Sequence, residues 1–254
     1  MRFKAHKQLF HILLSFVLAL TLSTEVKADT SNTKLLDLCR SFNPLNTEIR
    51  DNTIKKTGAK EQFKKLIEAI RNEYYASGGR DYSVGTWAFP LKGYGYKAIG
   101  GVNGNGYQKG GYDYFDGNRH TGHPSQDIFI RDKKQTGIDD GTRLPVSVVS
   151  VTGGVVVSEE KEWDPSSSLR GGKYIWIYDP TSNALFYYAH NGTLHAEVGD
   201  MVKPGDIIAE VGRTGLNAHK KRSPSHLHVT CLSIVNGLPV PRNIFKELLR
   251  SKLY

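Results

Sequence analysis

Apolar positions follow two different rhythms along this 254-residue chain, and the change falls near Gly79. Between residues 29 and 80, Phe63, Leu66, Ile67, Ile70 and Tyr74 share one face of a helix whose other side carries Lys and Glu, and Gly78-Gly79 supplies its stop. A second, short helix is expected around Leu35, Leu36 and Cys39. Beyond Gly79, short runs of Val, Ile, Tyr and Phe divided by Gly, Asn and Asp predict antiparallel strands, opened by Trp87 to Pro90. The strand candidates are Gln126–Arg131, Val146–Ser150, Gly154–Ser158, Lys173–Tyr178, Leu185–Ala189, Ile207–Val211 and Leu227–Ile234. The stretch from Gly100 to Gly117 is too polar for a core and reads as a loop over or beside a site. From Pro241 the spacing of Ile244, Leu248 and Leu249 suggests a short helix. The expected fold is therefore mainly β: an antiparallel, barrel-like sheet unit over 81–240, with an α-helical extension over 29–80 and a helical tail over 241–254.

Residues 1–28 have the order of an export signal. Basic Arg2, Lys4 and Lys7 come first, an apolar run from Leu9 to Leu22 follows, and Val26-Lys27-Ala28 forms a small-x-small cleavage site. His11 and Ser15 interrupt the apolar run, which argues against a membrane span, with an uncleaved anchor as the alternative. No later stretch is apolar enough to cross a bilayer, and no Cys follows the run at the place where a lipid-anchored export signal needs one. A mature chain beginning near Asp29, in the periplasm or outside the cell, is expected. It is long enough for one domain with its own core.

The formal charge is +9, and removing four basic residues with Glu25 lowers it to +6. Such an excess suits an anionic wall polymer or lipid head groups, and scattered solvated Lys and Arg would produce it equally. No nucleic-acid motif is present. Cys39 and Cys231 can pair in an oxidising compartment, or remain as two buried thiols, since Cys231 shares strand parity with apolar Leu227 and Val229.

Histidine placement carries the chemistry. Apart from His6 and His11, all seven histidines lie between His120 and His228. On a strand, His226 and His228 point the same way while Leu227 points into the core. A turn at Gly122 and Pro124 would fold His123 back toward Asp127, and His190 follows the apolar run Tyr187-Tyr188-Ala189. Two His and one Asp make the three-ligand set of a hydrolytic zinc site with one position left for water, and the remaining histidines can move protons or stabilise an oxyanion. His120 competes with His123, which is preferred because it stands four residues before Asp127. His195 and His219 lack a partner by spacing and read as ordinary loop residues.

The ordered motifs resemble the lysostaphin-like, or LytM-type, zinc endopeptidases of bacterial cell walls, over roughly Thr86 to Ile234. They are Trp87-Ala88-Phe89-Pro90-Leu91-Lys92-Gly93, His123-Pro124-Ser125-Gln126-Asp127, the Pro145–Val155 hairpin, Tyr188-Ala189-His190, Val198 to Asp206, Val211 to Gly215, and Ser225-His226-Leu227-His228. The resemblance implies one Zn2+ held by His123, Asp127 and His228. It implies His190 and His226 as the catalytic histidines, and hydrolysis of peptide bonds in peptidoglycan stem peptides or cross-bridges. Ser125-Gln126 and Pro224-Ser225 replace glycines common in that family, and Arg131 to Thr142, with Asp132, Asp139 and Asp140, forms a longer loop, read as a polar turn rather than a second cation site. Two rivals stand beside this reading. The rhythm of Val198 to Gly212 also resembles biotinyl and lipoyl carrier domains, with Lys203 inside the shared turn. The same fold can also serve as a silent wall-binding or partner-binding scaffold, or be held latent by residues 29–80.

Overall fold

A computed structural model describes residues 32–254; the proposed signal over 1–28 lies outside the described residues. Two helices come first, α1 over 32–51 and α2 over Lys56–Ala76. α1 is longer than the short helix expected. Its apolar residues Leu35, Cys39, Phe42, Leu45 and Ile49 recur at three- and four-residue steps and are all buried. The helix continues through Pro44, which lacks an N–H to donate. α2 buries Phe63, Ile67, Ile70 and Tyr74 and ends just before Gly78-Gly79.

Nine strands follow: β1 Ser125–Phe129, β2 Ser147–Val149, β3 Gly154–Glu160, β4 Lys173–Asp179, β5 Ala184–Leu194, β6 Met201–Val202, β7 Ile207–Val211, β8 His226–Val235 and β9 Leu238–Arg242. All their pairings are antiparallel. The main layer runs β1-β8-β5-β4-β3-β6, and β9 extends the edge of β8 that β1 occupies further along. β2 and β7 form a smaller layer. β5 joins the two: residues 184–189 pair with β8, whereas Asn191 and Leu194 pair with β7. The switch occurs at His190, a non-glycine residue at φ 67°. Bulged, locally strained backbone is how a strand passes from one sheet to another.

Alternation along the strands builds two cores. Phe186, Tyr188, Leu227, Val229 and Cys231 point between the two sheet layers, where they meet Trp87, Val148 and Ile208. The opposite face sends Tyr174, Trp176, Leu185, Leu232 and Ile234 toward α1 and α2. The helical extension is thus a layer on the main sheet. Cys39 belongs to the helix-side core and Cys231 to the inter-sheet core, so the two remain separate free thiols, both pushed up to about 12 by burial.

Two strands were not expected. β6 has only two residues, and β9 contains Pro239 and Pro241, which are compatible with an edge strand because it need not donate on both sides. The tail helix is correspondingly short, α3 over Phe245–Leu248. No described helix is long and apolar enough to cross a membrane.

Candidate metal centre

The uncovered part of the helix-side face carries the site. β1 and β8 pair with Asp127 opposite His228 and Phe129 opposite His226, while β5 places Ala189 opposite His228 from the other side. Leu227, fully buried between the sheets, forces His226 and His228 onto the outer face. His123 precedes β1, and reciprocal backbone bonds of 2.7 and 2.6 Å with Gln108 pin it against the glycine-rich loop.

One ligand atom each from His123, Asp127 and His228 lies within 4.8 Å of the others. His123 Nε2 is 3.3 Å from Asp127 Oδ2, and His228 Nδ1 is 3.0 Å from Asp127 Oδ1. The far ring atoms are occupied: His123 Nδ1 donates to the Gly106 carbonyl at 3.1 Å, and His228 Nε2 lies 2.7 Å from the Ser125 hydroxyl. Outer partners of this kind fix ring orientation and leave the inner nitrogen for a metal. Burial opposes ionisation of Asp127, yet the bonds from His123 and His228 outweigh it and hold the carboxyl well below the usual range. The Asp127 bond raises His123, and burial lowers His228. Two imidazole nitrogens and one ionised carboxylate converging on one point are a donor set that fits zinc.

His190 and His226 stand beside this triad with their rings 4.9 Å apart. His190 Nδ1 donates to the Thr214 carbonyl and His226 Nδ1 to the Pro224 carbonyl, each at 2.8 Å. A carbonyl only accepts, so the neutral ring keeps its lone pair on Nε2. Nε2 of His226 lies 3.9 Å from Asp127 Oδ1. Burial, followed by repulsion from His228 and His226, pushes His190 down to about 3. Gly215, at φ 114°, lets the backbone come close: a Cβ there would sit 2.5 Å from the Arg170 carbonyl and 2.9 Å from His190 Nδ1.

Residues 133–240 match the family model of Peptidase family M23. Over this segment the chain is similar to that peptidase family. The matched segment contains His190, His226 and His228, whereas His123 and Asp127 precede it. Among solved structures, the chain is similar to a candidate glycyl-glycine endopeptidase, lytM, from Ruminococcus gnavus, at 27% identity and a TM-score of 0.44, covering 76% of this chain and 75% of that one. It is also similar to a zinc containing peptidase from Vibrio cholerae, at 21% identity and a TM-score of 0.38, covering 66% of this chain and 41% of that one. Lysostaphin from Staphylococcus simulans gives 22% identity and a TM-score of 0.38, with 63% and 53% covered.

Among the described residues, His120, His195 and His219 lie outside the donor cluster. His120 borders the same cavity, but its Nδ1 is bonded to the Gly122 carbonyl, and burial with the nearby Arg170 charge pushes it down to about 4. His195 faces Glu210 at 3.6 Å, and His219 packs against Trp163 and bonds the Gly215 carbonyl. Asp132 and Asp139 accept backbone N–H bonds from their own loop, from Thr136 and Gly137 and from Gly141 and Thr142 respectively, so the segment is a polar turn. Sequence reading missed Ser125 as a partner of His228. Its position two residues before Asp127 on the same strand, facing the same side, was the available signal.

Proposed function

We propose that this protein is an exported zinc metalloendopeptidase that hydrolyses peptide bonds in peptidoglycan stem peptides or cross-bridges. The observation that carries this reading is the convergence of His123, Asp127 and His228 within 4.8 Å, with His190 and His226 lining the same cavity of about 320 Å³. His123, Asp127 and His228 would hold one Zn2+, which when bound supplies a Lewis acid that polarises a carbonyl and acidifies water.

This chain's own residues would handle the protons. His190 and His226 each hold Nδ1 against a carbonyl, so Nε2 of either is the ring atom available to take a proton from an attacking water. The ring that takes it can return it to the leaving nitrogen as the C–N bond breaks. The other can stabilise the negative charge that develops on the carbonyl oxygen. Tyr174, Trp176 and Tyr187 offer an apolar floor beside His228 on which a peptide can lie. The order of charge, apolar run and cleavage site in residues 1–28 supports export to where peptidoglycan is found.

The test is incubation of the purified protein with isolated peptidoglycan, followed by mass analysis of soluble fragments, with chelator-treated and His226→Ala samples in parallel. Fragments with one newly freed amine and carboxylate, absent from both controls, are expected. Release of no fragments by metal-loaded protein would overturn the reading in favour of a non-enzymatic wall-binding scaffold.

A further inference from the structure

The cavity beside the metal centre does not run open in every direction. Its floor passes from His228 over Tyr187 and Trp176, whose rings stack at 4.4 Å, to Tyr174, and there it meets the end of α1. Asn46 and Arg50 of α1 form that wall, and their polar groups are already engaged. Asn46 bonds Ser158, Tyr174 and Tyr114, and Arg50 is neutralised by Asp51 and Glu160.

Arg170, on the same cavity, is different. One guanidinium nitrogen donates to the His120 carbonyl, and among the described residues no carboxylate pairs with the group. Its loop is fixed rather than free: His190 N–H donates to the Gly171 carbonyl at 2.9 Å, and Leu216 N–H to the Leu169 carbonyl at 2.8 Å. The half-buried cation is therefore held one residue from the segment that anchors His190. Two phenols accompany it. The Tyr187 hydroxyl abuts Gly171, where an added Cβ would lie 1.8 Å from it, and the Tyr112 ring packs on His120 at 4.6 Å. Among the described residues neither hydroxyl has a hydrogen-bond partner, and both Tyr112 and Arg170 act electrostatically on Tyr187. An unpaired guanidinium with two unpaired phenols in a partly closed apolar cavity is a donor set suited to a carboxylate.

We propose that Arg170, assisted by Tyr187 and Tyr112, is a specificity-determining residue that receives a substrate carboxylate, so that the cavity selects peptides bearing one close to the bond to be cleaved. This rests on the peptidase reading for its meaning, while the binding itself does not depend on catalysis. The carboxylate can be a free C-terminus or an acidic side chain, which share the same chemistry.

The experiment titrates the full protein, metal-free and zinc-loaded, with acetyl-Ala-Ala, its C-terminal amide, and acetyl-Ala-Glu α-amide, following binding by calorimetry. In the metal-free protein a carboxylate form is expected to bind about tenfold tighter than the neutral amide. Preference for acetyl-Ala-Ala identifies a C-terminal carboxylate, and preference for the Glu peptide identifies a side chain. Arg170→Met should abolish the preference and Arg170→Lys restore part of it. Tyr187→Phe, which keeps the ring, should weaken it and serves if Arg170→Met does not fold. Equal binding of acid and amide, no binding of any peptide, or a preference that survives Arg170→Met would overturn the proposal. A carboxylate preference that Arg170→Met abolishes, in a protein that cleaves nothing, would count against the peptidase reading alone.

Discussion

The Ser125 hydroxyl lies 2.7 Å from His228 Nε2, and also 2.6 Å from the Thr230 hydroxyl, although Ser125 and His228 are 103 residues apart in sequence. Register explains the meeting: Ser125 pairs with Thr230 and Asp127 with His228, so all four groups share one face of β1 and β8. Ser125 thus turns His228 so that Nδ1 faces Asp127. Ser125→Ala should keep the fold and weaken zinc affinity about 10- to 100-fold, measured by competition with a chromogenic chelator. Unchanged affinity would show that the strand alone sets the ring.

Ligands and proton carriers should separate experimentally. His123→Ala and His228→Ala are expected to lose bound zinc, whereas His190→Ala and His226→Ala should retain it and lose about 10²- to 10⁴-fold in kcat. Metal analysis beside kinetics on the four variants checks this. Zinc retained in His228→Ala would refute the assignment of that residue.

Phe63 joins the helical layer to the loop bordering the site. It is fully buried and meets Phe42, Tyr114 and Phe115 with ring centroids 5.6, 5.4 and 5.7 Å away. Phe63→Ala should cost about 3–5 kcal/mol by urea unfolding. Amide exchange should rise in residues 111–119 together with α2. A loss confined to α2 would mean the loop is held mainly by the Lys56 bridges to Asp113 and Asp116.

Asp139 sets an acid limit on stability. Its side chain is buried, which disfavours charge, but bonds from Tyr94, Thr142, Arg131 and Gly141 overcome this and hold its carboxyl well below the ordinary value of 3.8. A depressed carboxyl stabilises the fold above its unfolded value and ceases to do so as pH falls through its folded one. Asp139→Asn should therefore lose about 1–3 kcal/mol near pH 7, with a smaller deficit below pH ~3. Urea midpoints at both pH values provide the check, and a deficit independent of pH would assign the effect to shape rather than charge.

Much of the sheet was legible because its strands alternate cleanly. The Ile207–Val211 strand has the expected bounds, and β3, β4 and β8 differ from theirs by one or two residues at an end. Proline is where the reading failed. The helix expected around Leu35, Leu36 and Cys39 runs on past Pro44 because Leu45 and Ile49 are buried too, and the strand holding Pro239 and Pro241 was not expected. His123 with Asp127 and His226 with His228 stood out as pairs because their spacing is local, four residues and two, whereas His190 was singled out through the family resemblance. Ser125, Arg170 and Tyr187 acquire meaning only when β1, β5 and the 169–171 loop come together, and no local spacing encodes that.

The pairing of β1 with β8 also governs when the site can exist. Asp127 and His228 belong to strands separated by about a hundred residues, with β2 to β7 between them, so closing that loop is a late and slow event in folding. During synthesis the chain carries two of its three donors, His123 and Asp127, until β8 has left the ribosome. A chain stopped before His226 would hold α1, α2 and β1 to β7 but no complete donor set, so a prematurely terminated product could not assemble the metal centre.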